Sequence, residues 1–129
     1  MDLPRIETPL SQAVSVLDTE AVAVLRTLDE DGSLLTELIQ EFRRDAGRFV
    51  VEASAGVSDL DAEPICRAAH ALRGSSGSLG MVGLSTLCLE LEELAQARRF
   101  EAIGARLAQF EPGVERALAA LDAFRKGAA

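Results

Sequence analysis

Cys66-Arg67-Ala68-Ala69-His70-Ala71-Leu72-Arg73-Gly74-Ser75-Ser76-Gly77-Ser78-Leu79-Gly80 is the stretch from which the rest of this 129-residue chain can be read. With Ile65 before it, Ala69, Leu72, Ser76 and Leu79 follow the i, i+4, i+7 stripe of a helix that buries one side. His70, the only histidine in the sequence, falls about 100° from Ala69 around the helix axis and so belongs to the polar face. One turn on stand Arg73 and Gly74, with Gly77 a further turn along. An imidazole therefore sits beside a guanidinium, over backbone bare of side chains. Glycine inside a helix costs about 1 kcal/mol relative to alanine, so its repetition here implies that something must come close to the histidine.

Periodicity continues on both sides of this helix. Asp61 is its expected N-cap, Pro64 sits in its first turn where proline is tolerated, and Gly80 is its expected left-handed terminator. Upstream, Ser33 opens a longer helix with the stripe Leu35, Leu38, Ile39, Phe42, Ala46, Phe49, Val50 and Ala53, and Gly56 to Asp59 are expected to form a turn. Before it, Asp18 caps a short helix through Leu25 and Leu28 that Asp29-Glu30-Asp31-Gly32 ends. Downstream, Met81 to Gly83 link to a helix striped by Leu84, Leu87, Cys88, Leu91, Leu94 and Ala95, with Arg98 and Arg99 at its negative pole. The last segment carries Ile103, Leu107, Phe110, Val114, Ala117, Leu121 and Phe124 straight through Pro112, which predicts one bent helix rather than two. Four long amphipathic segments with short connections predict an all-α protein: an antiparallel four-helix bundle with a short additional N-terminal helix across one end. The expected division is an N-terminal arm over 1–17, the bundle over 18–125 and a tail over 126–129.

Composition narrows the function classes. A net charge of −8 disfavours nucleic acid and anionic membranes as partners. No apolar run approaches the ~20 residues of a spanning helix, and Met1-Asp2-Leu3-Pro4 does not begin a signal peptide, so a cytoplasmic location is expected. Cys66 and Cys88 are too few for a disulfide framework and read as core thiols. Cys66 lies four residues before His70, yet no further ligand cluster accompanies the pair, so no metal site is expected. Ser75 and Ser76 have no aspartate nearby to complete a nucleophilic triad.

Ala69-His70-Ala71-Leu72-Arg73-Gly74-Ser75-Ser76, followed by Leu79-Gly80, Leu84, Leu87-Cys88 and Leu91-Glu92, resembles the signature of histidine-containing phosphotransfer domains. The resemblance runs from about residue 17 to residue 125, taking in Leu17-Asp18, Leu35 to Phe42 and the alanine-rich last helix. It implies a phosphorelay intermediate that accepts a phosphoryl group on histidine from a receiver-domain aspartate and passes it to another receiver. His70 would be the phosphoacceptor. Arg73 would support the phosphoryl oxygens, Gly74 would keep the approach clear, and Glu92 falls where the family carries a glutamine or glutamate near the imidazole. The implied partners are receiver domains of response regulators, such as those of a hybrid sensor kinase and a downstream regulator. Mg²⁺ is expected in the partner receiver and no cofactor in this chain.

Elementary chemistry agrees with these roles. A histidine attacks phosphorus through a ring-nitrogen lone pair, so one nitrogen must be unprotonated and accessible. A carboxylate accepting from the other nitrogen's N–H would fix that tautomer, and Glu92, bordering the Cys88/Leu91/Ala95 stripe, is placed to do so. Arg73 offers charge to a dianionic group, while bulk at position 74 would obstruct in-line approach. Arg67, Gly77, Leu79 and Met81 are the candidate docking residues, the last two as exposed apolar flanks of His70. The chain carries no nucleotide motif, so it is expected to be a phosphocarrier without kinase activity of its own, and a monomer. Two other classes stay open: a receiver-docking module that takes no phosphoryl group, and a substrate domain phosphorylated directly by a histidine kinase. A stand-alone protein is expected, with an excised domain the alternative.

Overall fold

The computed structural model describes residues 17–126, so most of the expected arm (1–16) and of the tail (127–129) lies outside the described residues. Five helices follow one another: α1 Thr19–Leu28, α2 Ser33–Asp59, α3 Ala62–Ser78, α4 Val82–Gln96 and α5 Phe100–Arg125. The starts of α1, α2 and α3 are set by acidic side chains that satisfy amides with no partner in the first turn. Asp18 accepts from Ala21 N at 3.2 Å, and Asp61 from Glu63 N at 3.4 Å. Asp29 does more than break α1: its two oxygens accept from Leu34 N at 3.1 Å and Leu35 N at 2.9 Å, capping α2.

α2, α3, α4 and α5 each pack on the next, and α5 returns to α2, closing an antiparallel four-helix bundle. Arg43 of α2 bonds Glu115 of α5, while Arg125 at the end of α5 reaches Thr36 at the start of α2, so these two helices run in opposite senses. The expected stripes are the core. Ile65, Ala69, Leu72, Ser76 and Leu79 are all buried, and Phe49 of α2 meets Phe110 of α5 with ring centroids 5.0 Å apart and tilted by 58°. Pro112 lies within α5, which continues through it and buries Ile103, Phe110, Val114, Ala117 and Leu121 on one seam. Proline removes one backbone bond, but the continuous apolar seam holds the helix together.

Three interhelix turns use one device. Leu60, Gly80 and Arg98 all have positive φ, at 55°, 77° and 56°. At each, the amide of the positive-φ residue and the one after it turn back onto the last carbonyls of the helix: Leu60 N to Val57 O and Asp61 N to Gly56 O, Gly80 N to Gly77 O and Met81 N to Ser76 O, Arg98 N to Ala95 O and Arg99 N to Leu94 O. This corrects the expected Gly56–Asp59 turn, because α2 runs through to Asp59 and reverses on Leu60. Gly56 is spent on packing instead: a Cβ there would lie 2.7 Å from Ile65 Cγ1 and 2.8 Å from the Asp61 carbonyl oxygen. The fourth helix likewise starts at Val82, two residues earlier than the expected link to Gly83 allows. Arg98 is not merely a charge at a helix end, since it forms the left-handed turn and its guanidinium reaches Leu60 O at 3.3 Å.

Gly80 is the most constrained of the three. A Cβ there would lie 2.7 Å from Val22 Cγ2 and 3.1 Å from Asp18 O, and Asp18 N donates to Gly80 O at 2.7 Å. Through that contact α1 is fastened across the end of the bundle.

Two sets of stability measurements follow from these turns and from the core. Gly80→Ala is expected to lose about 1–3 kcal/mol by combining left-handed strain with overpacking, whereas Leu60→Gly relieves strain at an exposed side chain and is expected to gain about 0.5–1 kcal/mol; denaturant unfolding reads both. Burial pushes the Cys88 thiol from the usual 9.0 up to about 12. The unfolded chain therefore ionises this thiol first, so its contribution to stability is whole below about pH 9 and is lost as pH rises toward 12. At pH 8 a thiol reagent should modify Cys88 only as fast as the protein opens, while half-buried Cys66 reacts sooner.

Candidate functional site

His70 stands midway along α3, on the face turned away from Ala69 and Leu72, with 64% of its side chain exposed. Its Nδ1 lies 2.9 Å from Glu92 Oε2 of α4. Glu92 follows Leu91 on a helix whose core stripe faces inward, so its carboxylate sits at the bundle edge with only 11% of the side chain exposed. Arg73, one turn beyond His70, donates from Nε to Glu92 Oε1 at 3.1 Å. One carboxylate thus spans the imidazole and the guanidinium, an oxygen for each.

The Arg73 Nη2 group also comes within 3.1 Å of His70 Nδ1. Nδ1 cannot accept from Arg73 while donating to Glu92, and the carboxylate decides between the two. An unprotonated Nδ1 would face Glu92 Oε2 lone pair to lone pair; a protonated one gives Glu92 a donor on each oxygen. The proton therefore belongs on Nδ1. Nε2 then carries the lone pair, and it makes no hydrogen bond to any of the described residues. Chemically the arrangement is an exposed nitrogen nucleophile on a ring held from behind, with a cation beside it.

Gly74 has nothing within 4 Å of where a Cβ would stand. Helix packing therefore does not require glycine there, and its bare backbone leaves open space one turn from the imidazole. At Gly77 a Cβ would make ordinary contact with Ser85 Oγ at 3.6 Å, so that position also borders α4. Ser85 Oγ donates to Arg73 O at 3.0 Å, and buried Ser76 Oγ donates to Leu72 O at 2.7 Å. Arg67 is exposed one turn before His70, its Nη1 3.6 Å from Glu63 of its own helix. Ser75 Oγ bonds back to Ala71 O at 3.2 Å. No cluster of three metal-ligating side chains occurs among the described residues.

Two expected docking residues are corrected. Leu79 and Met81 are both buried, at 4% and 0% exposure. Their turn is drawn inward because Gly80 is clasped by α1, and Leu79 joins Leu25, Leu38 and Phe42 around the groove between α1, α2 and α3. Leu79 thus completes the core stripe rather than flanking the histidine. The exposed apolar side chains on this side come from α4: Val82 and Leu89, which share a stripe with Ser85 and Glu92. They were recognisable as apolar residues lying off the Leu84, Leu87 and Leu91 core line.

The Hpt domain model matches residues 34–124, a span that contains His70, Arg73, Gly74 and Glu92. The structure is similar to the crystal structure of histidine-containing phosphotransfer protein B (HptB) from Pseudomonas aeruginosa PAO1, with a TM-score of 0.73 and 26% sequence identity, covering 85% of this chain and 94% of that one. No curated protein sequence matches the chain. With its four-helix bundle, its short helix across one end and its single exposed histidine midway along α3, the chain belongs to the Hpt domain family and is a histidine phosphotransfer component of a phosphorelay.

Proposed function

We propose that His70 is the phosphoacceptor, taking a phosphoryl group from a receiver-domain aspartate and giving it to a second receiver. The observation that carries this reading is the ring itself: the only histidine of the sequence is exposed, with Nδ1 engaged by Glu92 and Nε2 left to attack. Glu92 orients the imidazole and holds the reactive tautomer. Arg73 supplies charge to the phosphoryl oxygens, and the open space at Gly74 admits the receiver's surface. Val82 and Leu89 provide apolar contact around the histidine, with Arg67 and Gly77 at the margins.

The partners on this reading are a receiver of a hybrid sensor kinase on one side and a downstream regulator on the other. The receiver brings the aspartate and the Mg²⁺, and this chain brings the nucleophile and Arg73. It acts as a carrier with no ATP chemistry of its own, as a monomer in the cytoplasm. No helix of the described residues is long and apolar enough to cross a membrane, which fits that location.

Incubation with a panel of acetyl-phosphate-charged receivers tests the proposal. Acid-labile, alkali-stable label is expected on the wild type and on none of the His70→Gln protein. ATP alone should label neither. Label that survives His70→Gln overturns the assignment, and receiver binding without any label would favour a docking module.

A further inference from the structure

Glu92 binds with one oxygen the ring it orients and with the other the cation that the phosphoryl group needs. Arg73 Nε meets Glu92 Oε1 at 3.1 Å, in a pair whose carboxylate is 11% and whose guanidinium side is 37% exposed. Such a pair is only partly in water, so its attraction is less screened than that of a surface pair. Arg67, the other arginine of α3, lies against Glu63 instead. Arg73 is thus the cation beside His70, and it is already engaged.

We propose that Glu92 competes with the phosphoryl group for Arg73, so that the Arg73–Glu92 ion pair sets how readily His70 retains a phosphoryl group. This rests on the phosphoacceptor reading above and adds a positioning role for Glu92 that runs through Arg73. In the transfer, the Nε2 lone pair forms the N–P bond as the P–O bond to the receiver's aspartate breaks. The electron pair of that bond returns to the aspartate as carboxylate, and the Nδ1 proton stays on the ring, shared with Glu92 Oε2. A phosphoryl dianion then stands on the ring that Glu92 already holds. As Arg73 turns to the phosphoryl oxygens, a largely buried carboxylate oxygen loses its partner, so the ion pair opposes the phosphorylated state. A glutamine at 92 would keep a carbonyl oxygen for Nδ1–H and remove the competing charge.

The test measures the equilibrium division of label between a charged receiver and four forms of the protein: wild type, Glu92→Gln, Arg73→Gln and the double variant. Glu92→Gln is expected to move the division toward the phosphorylated bundle by about threefold or more, and this shift should vanish when Arg73 is replaced. An equal shift in both Arg73 backgrounds would mean that Glu92 acts through the ring alone, which overturns the proposal. No shift with Arg73 present would mean that the guanidinium fork serves both anions at once, which overturns it as well. A wild type that takes no label removes the phosphoacceptor reading itself, an outcome distinct from either. A second readout needs no variant: on charging the wild type with phosphoramidate, the Arg73 Nε–H resonance should leave its carboxylate-bonded position. A resonance that does not move contradicts the competition.

Discussion

Between α3 and α4 the chain reverses over Leu79, Gly80 and Met81, and the relative register of the two helices descends from that turn. Gly80 adopts a φ of 77° and accepts Asp18 N at 2.7 Å, while Met81 N returns to Ser76 O at 2.9 Å. Little freedom remains in where α4 can lie along α3. Ser85, one turn into α4, then bonds the carbonyl of Arg73, and Glu92, two turns further, comes opposite His70. A different hand-over at Gly80 would carry Glu92 past the imidazole. The short helix across the end, which looks peripheral to the chemistry, is what clasps the turn on which the site depends.

The site combines a rigid back with an open front. The back consists of the core stripes of α3 and α4 and a carboxylate held at the bundle edge, so the ring is oriented by a group that has itself little room to move. The front consists of the exposed imidazole edge, the bare backbone at Gly74 and the apolar side chains of Val82 and Leu89. This division suits a carrier that meets more than one partner. Chemistry needs a fixed nucleophile, whereas docking needs a surface that tolerates different partners.

Much of this was legible beforehand because helices announce themselves locally. The stripe from Ile65 to Leu79, the seam of α5 through Pro112, and the caps Asp18 and Asp61 depend on neighbours within a turn or two of the chain. Gly56 misled for the same reason. Its residue type suits a reversal, but its place is set by Ile65 on the next helix, while Leu60 takes the left-handed angle that glycine would accept more easily. Leu79 and Met81, expected at the docking surface, are buried on either side of Gly80, which Asp18 and Val22, more than fifty residues away in sequence, close upon.

The sequence by itself determined the helices, the face on which His70 lies, the absence of bulk at position 74 and the motif that marks the family. Each is a matter of spacing along one helix, where 3.6 residues per turn assigns every side chain a direction. Only the tertiary structure decided that the carboxylate meeting the imidazole also holds Arg73, and that Val82 and Leu89 replace Leu79 and Met81 at the surface. Those outcomes depend on how one helix is rotated and shifted against another. That is settled by three residues of turn geometry and the packing beneath it, and periodicity within a single helix carries no information about either.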